Sequence, residues 1–174
     1  MLFSRIFRKM NWRIAVALGC FIGATIWQSA ASAHDPVESQ NVVPISKDEA
    51  DMLIFERQQV MMQLADDAEV LGAIVAYEAP KTKLAETTRA LAKGAKEARE
   101  SFKNGVTGGR SKDNVWANRA DFAKRMDDFV RESDAMAKLG EAGNLNGVTE
   151  KMIAALPCKE CHDVYREPKK GAGK

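Results

Sequence analysis

The sequence predicts an all-α protein, an antiparallel four-helix bundle, on three observations. Ala, Leu, Met, Lys and Glu are abundant while aromatics make up only 7% of the 174 residues, and straight-chain side chains lose little rotamer freedom in a helix. Apolar residues recur at steps of three and four through four separate stretches. Neither strand-like alternation nor an internal repeat interrupts them. With 45% apolar and 29% charged residues, the chain has material for one core and is too short for two comfortable domains.

Residues 1–33 stand apart from this pattern. Arg5, Arg8, Lys9 and Arg13 precede an apolar run from Ile14 to Trp27, and Ala31-Ser32-Ala33 supplies a small-residue cleavage site. This is the layout of a secretory signal peptide, with Met10 as an alternative start. The run falls short of the roughly 20 residues that cross a bilayer, so no stable membrane span is expected after cleavage. A lipoprotein signal ending at Leu18-Gly19-Cys20 is the weaker reading, because its apolar run is very short. Removing the four basic residues of the leader from 26 leaves 22 against 24 acidic ones, a balance that does not suit a nucleic-acid binder. Export also takes Cys20 away and leaves Cys158 and Cys161 as the only thiols. A periplasmic location follows. Residues 34–45, with Pro36 and Pro44 and no periodicity, read as an irregular tail, and residues 46–174 as the folded domain.

The first helix opens at a capping box, Ser46 to Glu49, in which each side chain satisfies a backbone donor of the other. It runs to about Tyr77 on the stripe Met61, Leu64, Ala68, Leu71 and Val75, before Pro80. A second helix covers about Lys83 to Lys103, with Leu84, Thr88, Leu91, Ala95, Ala98 and Phe102 on one face. Asn104 to Lys112, with three glycines, is a loop. Asp113 is the expected N-cap of a third helix carrying Val115, Arg119, Phe122, Met126, Phe129, Ser133 and Met136. After a break at Gly140 to Gly147, a fourth runs from about Val148 to Tyr165, with a fault at Pro157, whose ring removes a backbone donor. Four amphipathic segments with mostly short connections make a bundle.

Cys158-Lys159-Glu160-Cys161-His162 is a C-x-x-C-H sequence, the signature of covalent haem attachment. Positions i, i+3 and i+4 share one helix face, so both sulfurs and the imidazole point the same way. Zinc would want a fourth ligand, and His34 in the tail is the only other histidine of the mature chain. A thioredoxin-like pair belongs to a βαβ setting, and a disulfide between i and i+3 closes too small a loop to stabilise anything. One haem c per chain, near the C-terminal helix, is the expectation.

Together with Arg57 through Met61, Val70-Leu71-Gly72-Ala73-Ile74, Val115-Trp116-Ala117-Asn118-Arg119-Ala120 with Phe122, and Cys161-His162-Asp163-Val164-Tyr165-Arg166, the motif resembles the class II cytochromes c, the family of cytochrome c′ and the low-spin cytochrome c556. The resemblance covers about Ala50 to Lys169. It implies a four-helix bundle with His162 as an axial ligand of the haem iron. Pro157, directly before the first cysteine, departs from the family pattern.

What fills the other face of the iron separates two functions. The resemblance places Met61 there, where cytochrome c′ usually has an apolar residue, and Met61 also lies on the inward stripe of the first helix. Met62, about 100° round the helix, is the reserve. His/Met ligation implies a periplasmic one-electron carrier with a six-coordinate haem. The alternative is a five-coordinate cytochrome c′-like protein binding NO or CO, with Met61 only packing; a third reading is a haem-free redox or scaffold protein. Arg57 and Arg166 are candidates for the haem surroundings, Arg57 through a propionate. Phe122, Met126 and Phe129 line either the haem cavity or the core, and Trp116 packs. No hydrolytic or group-transfer constellation is visible, so no enzyme is expected. Redox partner proteins are implied but not identified, and the resemblance admits a homodimer through the first two helices, with Met62 and Tyr77 as contacts.

Overall fold

The computed structural model describes residues 45–169; the leader, Cys20, His34 and nearly all of the expected tail lie outside them. The described residues fold into six α-helices: α1 (Lys47–Val75), α2 (Leu84–Ser101), α3 (Asn114–Ala117), α4 (Arg119–Glu141), α5 (Leu145–Ala155) and α6 (Cys158–Tyr165). A 3₁₀ turn, Lys81–Lys83, leads into α2. Ser46 caps α1 with one half of the expected box, its hydroxyl accepting from the Glu49 amide at 3.2 Å, while the Glu49 side chain makes no return bond to Ser46. At the other end Tyr77 sits at φ 62°, and Glu78 N–H and Tyr77 N–H close on the carbonyls of Ala73 and Ile74. This is a Schellman ending with tyrosine where glycine is usual, and α1 therefore stops at Val75.

Two expected boundaries move. The third helix is broken: Asn118, at φ −112° and ψ 51°, separates a single turn, α3, from α4, and the Asp113 side chain caps nothing. The fourth begins earlier than expected, because Asn144 rather than a residue after Gly147 supplies the cap, its Oδ1 accepting from Gly147 N–H at 2.9 Å. Pro157 divides that helix in two. The chain turns at Leu156 and Pro157, and the Pro157 carbonyl then accepts from Cys161 N–H at 3.1 Å, starting α6 at Cys158. Ser133, fully buried on α4, donates to the carbonyl of Ala155 at 3.2 Å and anchors the end of α5.

The bundle is closed on three sides. α2 packs along α4 and along α1, and α5 along α4. Leu71, Ile74, Leu84, Leu91, Val115, Met136 and Val148 are fully buried there. Glycines let the helices approach: a Cβ at Gly140 would stand 2.1 Å from Thr88 Oγ1, and one at Gly94 2.7 Å from Leu64. On the fourth side α1 makes no comparable packing with α4, α5 or α6.

The α2–α3 loop is held at both ends. Arg57, 4% exposed on α1, donates to the carbonyls of Ser101 (3.1 and 3.3 Å) and Val106 (3.2 Å) and to Asn104 Oδ1 (3.3 Å), with its guanidinium 4.3 Å from the Phe102 ring centre. Farther on, Ser111 and Arg166 form an antiparallel bridge. Lys112 N–H donates to Tyr165 O (3.0 Å) and Glu167 N–H to Arg110 O (2.8 Å). The Lys112 ammonium reaches Asp163 O (3.1 Å) and the Asn114 amide Val164 O (3.0 Å).

Gly140→Ala should therefore lose stability despite alanine's better helix propensity, by about 1–3 kcal/mol, and Thr88→Ala in the same chain should return part of it in thermal melts. An unchanged midpoint for Gly140→Ala would contradict the close approach. Arg57→Lys should cost roughly 2–3 kcal/mol, because an ammonium cannot serve carbonyls on two sides of the loop and leaves some without a donor. Denaturant titration measures this, and a loss below the error of extrapolation would remove the assigned bracing role.

Candidate haem site

The open side of the bundle holds two adjoining clefts of about 490 and 770 Å³. Each is within the range of about 300–1,000 Å³ usual for cofactor sites. They share Met61 and Ala65 from α1, Met126 from α4, and Cys161, His162 and Arg166 from the C-terminal segment. Where α1 faces the larger cleft it presents Met61, Leu64, Ala65 and Ala68, and the two alanines leave room between the walls.

Cys158, Cys161 and His162 ride on α6, a helix of only eight residues. Too short to stand alone, it is held by the Pro157 turn at one end and the loop bridge at the other. Cys158 lines the larger cleft and Cys161 and His162 line both. The two sulfurs are not bonded to each other, and partial desolvation pushes both thiol pKa values up. That is the opposite of the activated thiolate that a dithiol redox centre needs. Burial first, then the Arg166 and Arg110 charges, lower the pKa of His162, so its imidazole is neutral at pH 7 with a lone pair to offer. Among the described residues no group of three His, Cys, Asp or Glu side chains is arranged to hold a metal ion alone.

The remaining sequence candidates divide. Phe122 is both core and cleft wall: it is 4% exposed, stacks edge-on with Phe102 (4.9 Å) and Tyr165 (5.1 Å), and faces the smaller cleft. Met126 borders both clefts and Phe129 the larger. Arg166 lies at the mouth, exposed. Arg57 borders the smaller cleft, with all but one of its N–H groups turned to the loop carbonyls and Asn104. Trp116 is half-buried against the core with its guanidinium neighbour Arg57 at 5.8 Å. Met62 is 57% exposed and borders the smaller cleft but not the larger.

Sequence reasoning passed over three groups. Tyr165 donates to Asp121 at 2.5 Å, and Arg125 holds the same carboxylate at 2.7 Å; these two partners keep the Asp121 pKa low. Tyr165 follows Cys161 by four and His162 by three, so the spacing that aligned the motif places its ring on that face too. Arg110 and Lys169 also line the smaller cleft; in the sequence they are two cations among many, with nothing to single them out.

The geometry fits a flat, largely apolar group held from one side by two sulfurs and an imidazole. The comparisons agree. Among curated proteins none matches significantly. The solved structures of similar fold include a Leu-to-Ala variant of cytochrome c prime from Alcaligenes xylosoxidans in its nitric oxide complex, with TM-score 0.64, 21% identity, and coverage of 69% of this chain and 97% of that one. A reduced Arg-to-Ala variant from the same organism gives TM-score 0.64 at 20% identity, covering 68% and 97%. A structure titled cytochrome c′ gives 0.63 at 21%, also covering 68% and 97%. At such identities these likenesses establish the fold, a four-helix bundle. The family model for cytochrome c′ matches residues 52–166, two-thirds of the chain and all six helices but the first turn of α1. The chain belongs to the cytochrome c′ family of class II cytochromes, whose cofactor is one covalently attached haem c per chain.

Proposed function

We propose that this protein is an exported one-electron carrier in which Cys158 and Cys161 hold the haem by thioethers, His162 is one axial ligand and Met61 the other. The observation that carries this reading is that Met61 and His162 come from helices on opposite sides of the gap and border both clefts together. When bound, the haem supplies a one-electron iron couple. The chain's residues do the rest. His162 is neutral and can donate; the Met61 thioether is a soft donor that favours the reduced state and keeps both states low-spin. Phe122, Met126 and Phe129 exclude water from the cleft, and a dry site lessens the solvent reorganisation that accompanies a change of charge.

Likeness alone favours a second reading. The nitric oxide complexes among the similar structures and the family itself support a five-coordinate, gas-binding protein in which Met61 only packs. The side chain at Met61 is what decides between them, since an apolar branched residue there would offer no donor at all.

The location we infer is the periplasm, on the strength of the leader at residues 1–33. No described helix is long and apolar enough to cross a membrane. We infer a carrier without turnover of its own, working with redox partner proteins. A homodimer through the outer face of α1 is supported by Met52, Phe55 and Met62, each more than half exposed, and by Tyr77 at the end of the helix.

Under the carrier reading the purified protein has a low-spin spectrum in both oxidation states and binds carbon monoxide negligibly near neutral pH, while Met61→Ala becomes high-spin and binds it readily. Rapid carbonyl formation by the unaltered protein, with a spectrum indifferent to Met61→Ala, would establish the gas-binding reading instead. A polypeptide of unmodified mass after export from a host with working haem maturation would remove both.

A further inference from the structure

We infer that the two haem propionates lie in the smaller cleft, and that Arg110, from the α2–α3 loop, is their main partner, with Lys169 and Arg166 completing the anion site. The inference rests on the haem-binding reading and extends it from the iron to the opposite edge of the porphyrin.

Two independent observations point the same way. The first is where the sulfurs sit. Both cysteines line the larger cleft, and Cys158 lines that one alone. In haem c the groups that form thioethers and the two propionates occupy opposite edges of the macrocycle, so fixing one edge at Cys158 sends the other away from it, into the smaller cleft.

The second is charge. The charged side chains of the smaller cleft are Arg57, Arg110, Arg166 and Lys169, with no carboxylate among its lining residues. The larger cleft mixes signs, with Asp128, Glu132 and Glu160 on its walls, and its arginines are partly engaged: Arg131 pairs with Asp128 at 2.5 Å and Glu132 at 2.9 Å, and Arg125 with Asp121, outside the cleft, at 2.7 Å. Burying two carboxylates in the mixed cleft would set them against Asp128, Glu132 and Glu160. The cationic cleft would welcome them.

Within that cleft the cations are not equivalent. Arg57 is 4% exposed and already engages all three guanidinium nitrogens on Ser101, Asn104 and Val106, which leaves it one terminal N–H. Arg110 uses Nε and one terminal nitrogen on a single neutral acceptor, the Glu167 carbonyl, at 3.0 and 2.6 Å. Its charge is therefore not cancelled, its other terminal nitrogen has no acceptor among the described residues, and its guanidinium is fixed in place. A planar cation already oriented is the best available carboxylate partner. Arg166 and Lys169 join no ion pair among the described residues and stand at the same mouth.

The test uses the mature haem-loaded protein, with attachment confirmed by mass before any other measurement. Arg110→Gln combined with Lys169→Gln should shift the midpoint potential downward, because two propionate charges then go less offset and favour the ferric iron. It should also shift the propionate bending band in the resonance Raman spectrum. Arg110→Lys should keep most of both values, and Lys169→Gln alone, at an exposed position where folding is not at stake, should give a smaller shift of the same sign. Arg131→Gln, in the larger cleft, should move the potential less than the double variant does. Haem attached but potential and band unmoved in the double variant, or a larger shift from Arg131→Gln, overturns the inference while leaving the haem reading intact; absence of attached haem overturns both.

Discussion

The structure depends on an open seam. In a four-helix bundle each helix normally buries its apolar face against two neighbours, yet α1 packs on α2 and leaves the side facing α4 and α6 without protein. The seam cannot close by drift, because the other three sides are already in tight contact. Gly94 admits Leu64 and Gly140 admits Thr88 at distances that leave no slack. Met61, Ala68, Phe129 and Leu156 present apolar surface to the larger cleft, and covering such surface is worth about 25 cal/mol for each Å² removed from water. A haem filling the seam would turn that exposed surface into core, and so serve as the missing layer of the bundle.

The same view explains what could be read from the chain beforehand. The stripe through Met61, Leu64 and Leu71, the capping box at Ser46 and the C-x-x-C-H motif are local patterns, and local patterns survive folding: the α1 start, the loop at residues 104–112 and the shared face of Cys158, Cys161 and His162 were all legible. The breaks were less so. Asn118 interrupts a clean helical stripe, and nothing in its neighbours announces the turn. The start of α5 was missed because Gly147 reads as a helix breaker, whereas Asn144 uses that glycine's own amide as the capped donor.

Arginines were the hardest to place. Arg57 lies one turn before Met61 and does border the smaller cleft, but its second role was hidden, because a guanidinium carries five donors and also goes where the acceptors are. The carbonyls around the end of α2 and the following loop provide them. Arg110 sits in a stretch whose glycines, Gly108 and Gly109 at φ 119° and 64°, mark it as loop and nothing more. Only its bond to Glu167 O, across 57 positions of sequence, brings it to the cleft. Long-range pairing of this kind leaves no periodic trace.

The two faces of the cleft are built on different principles. Met61 belongs to a 29-residue helix whose position is set by its packing on α2. His162 belongs to an eight-residue helix pinned by one core residue, Tyr165, and by hydrogen bonds from elsewhere: Ser133 at the end of α5, then Lys112, Asn114 and the bridge at Ser111. Pro157 makes that second arrangement workable. A continuous helix from Leu145 would have tied the direction of α6 to that of α5; the break frees α6 to be aimed by the loop. A rigid wall opposite a separately tethered motif lets the spacing across the seam be set by the tethers, without disturbing the core that holds the wall in place.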